Sequence, residues 1–162
     1  MNTSAAFAVP KDRLTVTLRL SREILIEGEI FLESIAEGLS IHQKLTAFLE
    51  NSSVFFPIKI IPEGVTEFIS KRSVRTIEVN FPDEPEAGYF AHLHMHTIPV
   101  KVFFHDGDST SGELMAEVPK EKARLSDCLN LPGRFIDVRT GKKMCYINKE
   151  ALQKVVYTDK KT

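Results

Sequence analysis

The sequence reads FISKRSV at residues 68–74 and YINKEAL at residues 146–152. In both stretches two apolar residues precede a polar turn that contains a lysine, and an apolar residue follows the turn. This order predicts a strand, a tight turn and a second strand. The pattern occurs once in each half of the chain, which is typical of an internal repeat.

Further segments match in the same order before these two turns. An alternating apolar pattern at residues 16–20 returns at residues 100–104, and a glycine in the following strand, Gly28, returns as Gly112. Alternation with period two is typical of half-buried strands, and a glycine inside a strand often marks a bend. The remaining matches pair apolar positions of a helix and of a third strand: Leu45 with Leu125, and Phe55 with Phe135.

One short helix is predicted in each copy of the repeat. Ser40 followed three residues later by Gln43 is a capping-box pattern that starts a helix. Apolar residues then recur at helical spacing through Leu49, and the second copy keeps part of this stripe around Leu125. We therefore expect equivalent helices at equivalent places in the two copies.

These matches predict a chain of two tandem copies. We place the first copy at residues 14–79 and the second at residues 97–158. Residues 1–13 are expected to form a flexible N-terminus. Residues 80–96 are expected to form a linker and an entry strand, because their first part contains two prolines, a glycine and three acidic residues.

The predicted order of strands, with a bent second strand and a short turn before the last, resembles that of Sm-like small β-barrel proteins. The residues that carry the resemblance are Gly28 and Gly112, with the Ile-Ser-Lys and Ile-Asn-Lys turns at residues 69–71 and 147–149. The block Arg-Leu-Ser-Asp-Cys-Leu-Asn at residues 124–130 is also similar to a block in short bacterial proteins. The resemblance implies a mostly β fold of two tandem Sm-like barrels, each with one inserted short helix.

The composition disfavours several classes of function. The 162 residues include 21 Lys and Arg against 22 Asp and Glu, so no basic excess favours a nucleic-acid backbone. No apolar run is long enough for membrane insertion. The two cysteines do not form a Cys-x-x-Cys pair. We therefore expect a cytoplasmic protein without a cofactor.

Three basic residues at the repeated turns are candidates for nucleic-acid binding. In Sm-like proteins the turn before the last strand can line an RNA site, often with a lysine. The residues at this place are Lys71 and Lys149, and Arg72 directly follows the first of them. The resemblance therefore implies RNA binding as the first alternative function.

Three alternating histidines, His92, His94 and His96, are candidates for metal binding. On a strand they would share one face, and imidazole is a common ligand of transition metals. Alternate residues of a strand are about 7 Å apart, however, which is wide for three ligands of one ion. Binding of a metal or small ligand is therefore a second alternative, and we expect no tight metal site.

No catalytic group is repeated between the two copies, so we expect no catalytic residues and no enzymatic activity. Small tandem barrels expose strand edges, and an exposed edge suits strand addition by another chain. The sequence therefore favours a non-enzymatic protein-interaction or assembly module. We expect it to bind a protein partner or to associate with itself.

Overall fold

A computed structural model of the chain describes residues 11–33, 40–80, 95–117 and 124–158. These residues form a mostly β structure with two short α-helices, which confirms the predicted fold class. The helices and strands are α1 (Ile41–Glu50), α2 (Leu125–Leu129), β1 (Lys11–Arg19), β2 (Leu25–Glu33), β3 (Phe55–Ile60), β4 (Thr66–Ser70), β5 (Thr76–Asn80), β6 (His96–Phe104), β7 (Ser109–Ala116), β8 (Phe135–Thr140), β9 (Lys143–Asn148) and β10 (Leu152–Tyr157).

All ten strands belong to one sheet, in the order β10-β6-β7-β8-β9-β5-β1-β2-β3-β4. The first half of the chain (residues 11–80) contributes β1 to β5, and the second half (residues 95–158) contributes β6 to β10. The halves join because β9 pairs antiparallel with β5. The result is one continuous sheet that does not close, so two separate closed barrels are not confirmed.

The two halves have the same strand order. The order β5-β1-β2-β3-β4 of the first half corresponds to β10-β6-β7-β8-β9 of the second. Val16 pairs with Gly28 in the first half, and Val100 pairs with Gly112 in the second. Four further pairs correspond in the same way. Leu18 with Ile77 matches Val102 with Val155, and Phe56 with Ile69 matches Ile136 with Ile147. Residues that align in the sequence therefore occupy equivalent strand positions.

Gly28 and Gly112 lie where the second and third strands of each half approach closely. A Cβ atom added at Gly28 would lie 2.7 Å from the carbonyl oxygen of Lys59, and one added at Gly112 would meet the carbonyl oxygen of Arg139. A larger residue at either place would push the two strands apart. The repeat predicts a bend at each glycine, and what the structure shows there is close approach between neighbouring strands.

The described residues form two apolar cores, and one helix contributes to each. Helix α1 begins at the predicted capping box of Ser40 and Gln43 and contributes Leu45 to the first core. Helix α2 contributes Leu125 to the second core. Both leucines are buried, as the apolar stripe predicts.

Candidate functional site

The seam is the contact between β5 of the first half and β9 of the second half. Its ladder places Ile77 opposite Tyr146 and Glu78 opposite Cys145. Directly opposite residues face the same side of a sheet, so Ile77 and Tyr146 point to one side together. Both have 0 % exposed surface. The seam is therefore a buried interface.

Side chains from the second half complete the core of the first half. Met115, Met144 and Tyr146 belong to the same buried cluster as Leu45 of α1. Phe135, one of the predicted structural residues, is partly buried against this cluster. The first half therefore shares its core across the seam.

A buried polar group also crosses the seam. Nδ1 of His42, on α1, lies 2.8 Å from the hydroxyl of Tyr146, and Nε2 lies 3.5 Å from the carboxyl group of Asp137. Burial lowers the pKa of His42 to about 4. Burial, with a smaller contribution from the charge of Glu50, raises the pKa of Asp137 to about 7. The geometry fits a neutral imidazole that accepts from the tyrosine and donates to Asp137.

Arg75 makes a second polar connection between the halves. Its guanidinium donates to Asp106 at 2.7 Å and to Asp108 at 2.8 Å, both in the turn between β6 and β7. The same group lies 3.8 Å from the ring centroid of Phe104. An Asp-Gly-Asp sequence predicts only a hairpin turn, so this contact between distant segments is visible only in the structure.

Lys71 and Lys149, the predicted RNA-binding lysines, make equivalent contacts in the two halves. Nζ of Lys71 donates to the backbone and side-chain oxygens of Asn51 at 3.1 and 2.6 Å, just after α1. Nζ of Lys149 donates to the backbone oxygen of Leu131 at 2.6 Å, just after α2. Lys71 is only 1 % exposed, and burial lowers the pKa of its ammonium group. Its burial argues against direct contact with RNA.

Arg72, the third predicted nucleic-acid residue, is exposed beside the seam. It lines a cleft of about 560 Å³ together with Arg134 and Lys149. Glu50 and Glu150 line the same cleft, so its charge is mixed. Sequence reasoning missed Arg134 because this residue lies in the loop after α2, outside the repeated turn.

The structure describes only one of the three histidines predicted to bind metal. His92 and His94 lie outside the described residues. His96 is the first residue of β6 and is partly exposed. Within residues 11–33, 40–80, 95–117 and 124–158, no three His, Cys, Asp or Glu side chains are grouped as metal ligands would be.

The two ends of the sheet, β4 and β10, are called the free edges, because neither has an outer partner strand in the described part of the chain. Phe68 on β4 is 68 % exposed, and Tyr157 on β10 is 65 % exposed. Phe55, predicted to be structural, is also exposed and lies on the same face of β3 and β4 as Phe68. Phe68 aligns in sequence with Tyr146, which is fully buried at the seam. Phe68, the exposed member of this aligned pair, marks a candidate interaction surface.

No helix in the described part of the chain has the length and apolar character needed to cross a membrane. Comparison with family models, curated proteins and solved structures gave no match. The resemblance to Sm-like barrels therefore stays a prediction, carried by the residues of the repeat.

Proposed function

We propose that this protein is a non-enzymatic assembly module that binds protein along the free edges of its sheet. The observation that carries the proposal is the exposure of Phe68 and Tyr157 on the unpaired strands β4 and β10. An unpaired strand presents N–H and C=O groups that another strand can use. Strand addition obtains affinity from these groups and specificity from the neighbouring side chains.

The composition of both edges supports binding. Natural proteins protect free edges with charged residues, prolines and bulges. Strand β4 has one charged residue, Glu67, and no proline. Strand β10 has a register irregularity beside Lys154 and then continues through three uncharged residues to Tyr157. The outer part of each edge is therefore suited to pairing with another strand.

Two of the buried polar side chains, His42 and Lys71, have structural partners, which supports a structural role for them. His42 contacts Tyr146 and Asp137 across the seam, and Lys71 holds the end of α1. We place this role in the cytoplasm, where buried free thiols such as those of Cys128 and Cys145 stay reduced.

Affinity capture from the native cell, compared among three forms of the protein, tests the proposal. Phe68→Glu places a charge on the β4 edge and should remove the captured proteins. Leu131→Glu is the matched control, because Leu131 is also exposed but lies in the loop after α2. Capture that is unchanged by Phe68→Glu would contradict binding through β4.

A second candidate function is binding of an anionic polymer such as RNA at the cleft beside the seam. The observation in its favour is that Arg72, Arg134 and Lys149 line one cleft. Glu50 and Glu150 oppose it, because they place two carboxylates among the three cations. Strong binding would require more net positive charge than this cleft provides.

A further inference from the structure

A cavity of about 210 Å³ lies between helix α1 of the first half and strands β7 and β8 of the second half, and it is called the α1 cavity. Both halves contribute to its apolar lining, which includes Leu49, Met95, Leu114, Met115, Phe135 and Ile136. An apolar cavity of about 150 Å³ is enough to hold benzene. The α1 cavity is therefore large enough for one aromatic ring with a short substituent.

The carboxyl group of Asp137 lies in this mostly apolar lining. Asp137 is directly opposite Met115 on β7 and Tyr146 on β9, so its side chain points to the side of the sheet that carries the first core. Nε2 of His42 lies 3.5 Å from one carboxyl oxygen, which is long for a hydrogen bond. The Asp137 side chain keeps 21 % of its surface accessible. A carboxylate can accept several hydrogen bonds, so the carboxyl group of Asp137 has room for a further donor.

The charged groups around the α1 cavity favour a positively charged ligand. Three acidic residues line it: Glu50, Glu117 and Asp137. Lys149 also lines it, but its Nζ already donates to a backbone oxygen at 2.6 Å. His42 adds no positive charge near neutral pH, because burial lowers its pKa to about 4. A cation in the cavity would offset both the burial and the charge of Glu50 that raise the pKa of Asp137.

We propose that the α1 cavity binds a small aromatic amine, with the ammonium group on Asp137 and the ring among the apolar residues. The ammonium group has three donors, and a donor and acceptor of opposite charge form a strong hydrogen bond. Met95 and Met115 favour an aromatic body, because thioethers adapt to irregular shapes and pack against ring edges. The cavity is distinct from the free edges, so this inference goes beyond the proposed function and does not depend on it.

Titration of the isotopically labelled full chain with benzylamine, followed by the chemical shifts of its backbone amides, tests this inference. Benzyl alcohol is the matched neutral ligand, since it has the same ring and nearly the same shape without the positive charge. Both ligands should shift the same amide signals. The wild type should bind benzylamine at least about tenfold more tightly than benzyl alcohol, because a hydrogen bond between charged groups is stronger than a neutral one.

Three variants separate the contribution of charge from that of space. Asp137→Asn should weaken benzylamine binding about tenfold and leave benzyl alcohol binding nearly unchanged, because only the charge is removed. Thr46→Trp should prevent binding of both ligands, because Thr46 is an exposed residue of α1 that lines the cavity at its mouth. Ala47→Trp is the matched control, because Ala47 is the next exposed residue of α1 and is not among those lining the cavity. Circular dichroism checks that each variant is folded.

Benzylamine binding should also depend on pH. The ammonium group favours the carboxylate form of Asp137, whereas burial and the charge of Glu50 keep this group protonated below a pH of about 7. The other titratable groups near it are His42, Tyr146 and Lys149. Affinity of the wild type for benzylamine should therefore rise about tenfold from about pH 5.5 to about pH 7.5. Asp137→Asn should not show this rise, and neither should benzyl alcohol with the wild type.

Chemical shifts that do not saturate with benzylamine overturn the inference. Equal affinity of the wild type for the two ligands also overturns it, because Asp137 then does not select a cation. Full retention of the preference in Asp137→Asn, or unchanged binding in Thr46→Trp, would place the ligand outside the α1 cavity. Saturable binding that is lost in Thr46→Trp, kept in Ala47→Trp and no longer selective in Asp137→Asn supports it.

Discussion

Replacement of Asp137 by asparagine should change how the stability of the protein depends on pH. Burial and the charge of Glu50 raise the pKa of Asp137 from 3.8 to about 7, so the folded state keeps a proton that the unfolded state releases. Such a group stabilises the fold fully below a pH of about 4, and this contribution is lost as the pH rises to about 7. Each pKa unit corresponds to about 1.4 kcal/mol, which limits the loss at pH 8 to about 4 kcal/mol.

Titration of His42 changes the stability with pH in the opposite direction. Burial lowers its pKa from 6.5 to about 4, so the folded state favours the neutral ring. Its contribution to stability is lost as the pH falls from about 6.5 to about 4. The two slopes therefore oppose each other in the wild type. In Asp137→Asn only the contribution of His42 remains, so stability should rise with pH. The amide oxygen of the asparagine can still accept from the imidazole.

Urea unfolding between about pH 4.5 and 8.5 measures this difference directly. We expect Asp137→Asn to be more stable than the wild type at pH 8 by about 1–4 kcal/mol, with an unchanged m value. Asp127→Asn is the control, because Asp127 forms a surface ion pair with Arg124 and its replacement should leave stability close to that of the wild type. An asparagine variant at position 137 that keeps the wild-type pH profile, or is less stable at pH 8, refutes the reasoning.

Three other outcomes follow from the sequence and the structure. Leu45→Ala and Leu125→Ala should each lower the free energy of unfolding by about 2–5 kcal/mol, and an unchanged thermal midpoint for either would contradict its packing in a core. Isothermal titration with zinc should show no sub-micromolar stoichiometric site, whereas tight binding abolished by His94→Ala would establish the histidine site. Short single-stranded RNAs should bind no tighter than about 10⁻⁴–10⁻⁶ M at physiological salt, and nanomolar binding lost in the double variant Lys71→Glu and Lys149→Glu would reverse that expectation.

Much of the local structure could be predicted because its causes are local. Alternating apolar residues indicate strands, and Ser40 with Gln43 indicates the start of α1. Gly28 and Gly112 stand out as glycines inside strands, and the structure shows close backbone approach at both. The repeat itself places these elements in register between the two halves.

The candidate site could be predicted only in part. Lys71 lies in a polar turn, which suggests exposure, yet its ammonium group binds Asn51 and it is 1 % exposed. The contact joins residues that are distant in sequence, and no repeated pattern indicates it. The connection from Arg75 to Asp106 and Asp108 was missed for the same reason.

The sequence by itself determined the mostly β class, the repeated order of elements and the start of α1, because periodicity and capping act over a few residues. Only the tertiary structure decided which edges pair. Phe68 and Tyr146 have the same place in the repeat, but one lies on a free edge and the other is buried at the seam. That difference depends on β9 meeting β5 across the chain, and pairing between distant strands is not encoded in the pattern of either strand alone.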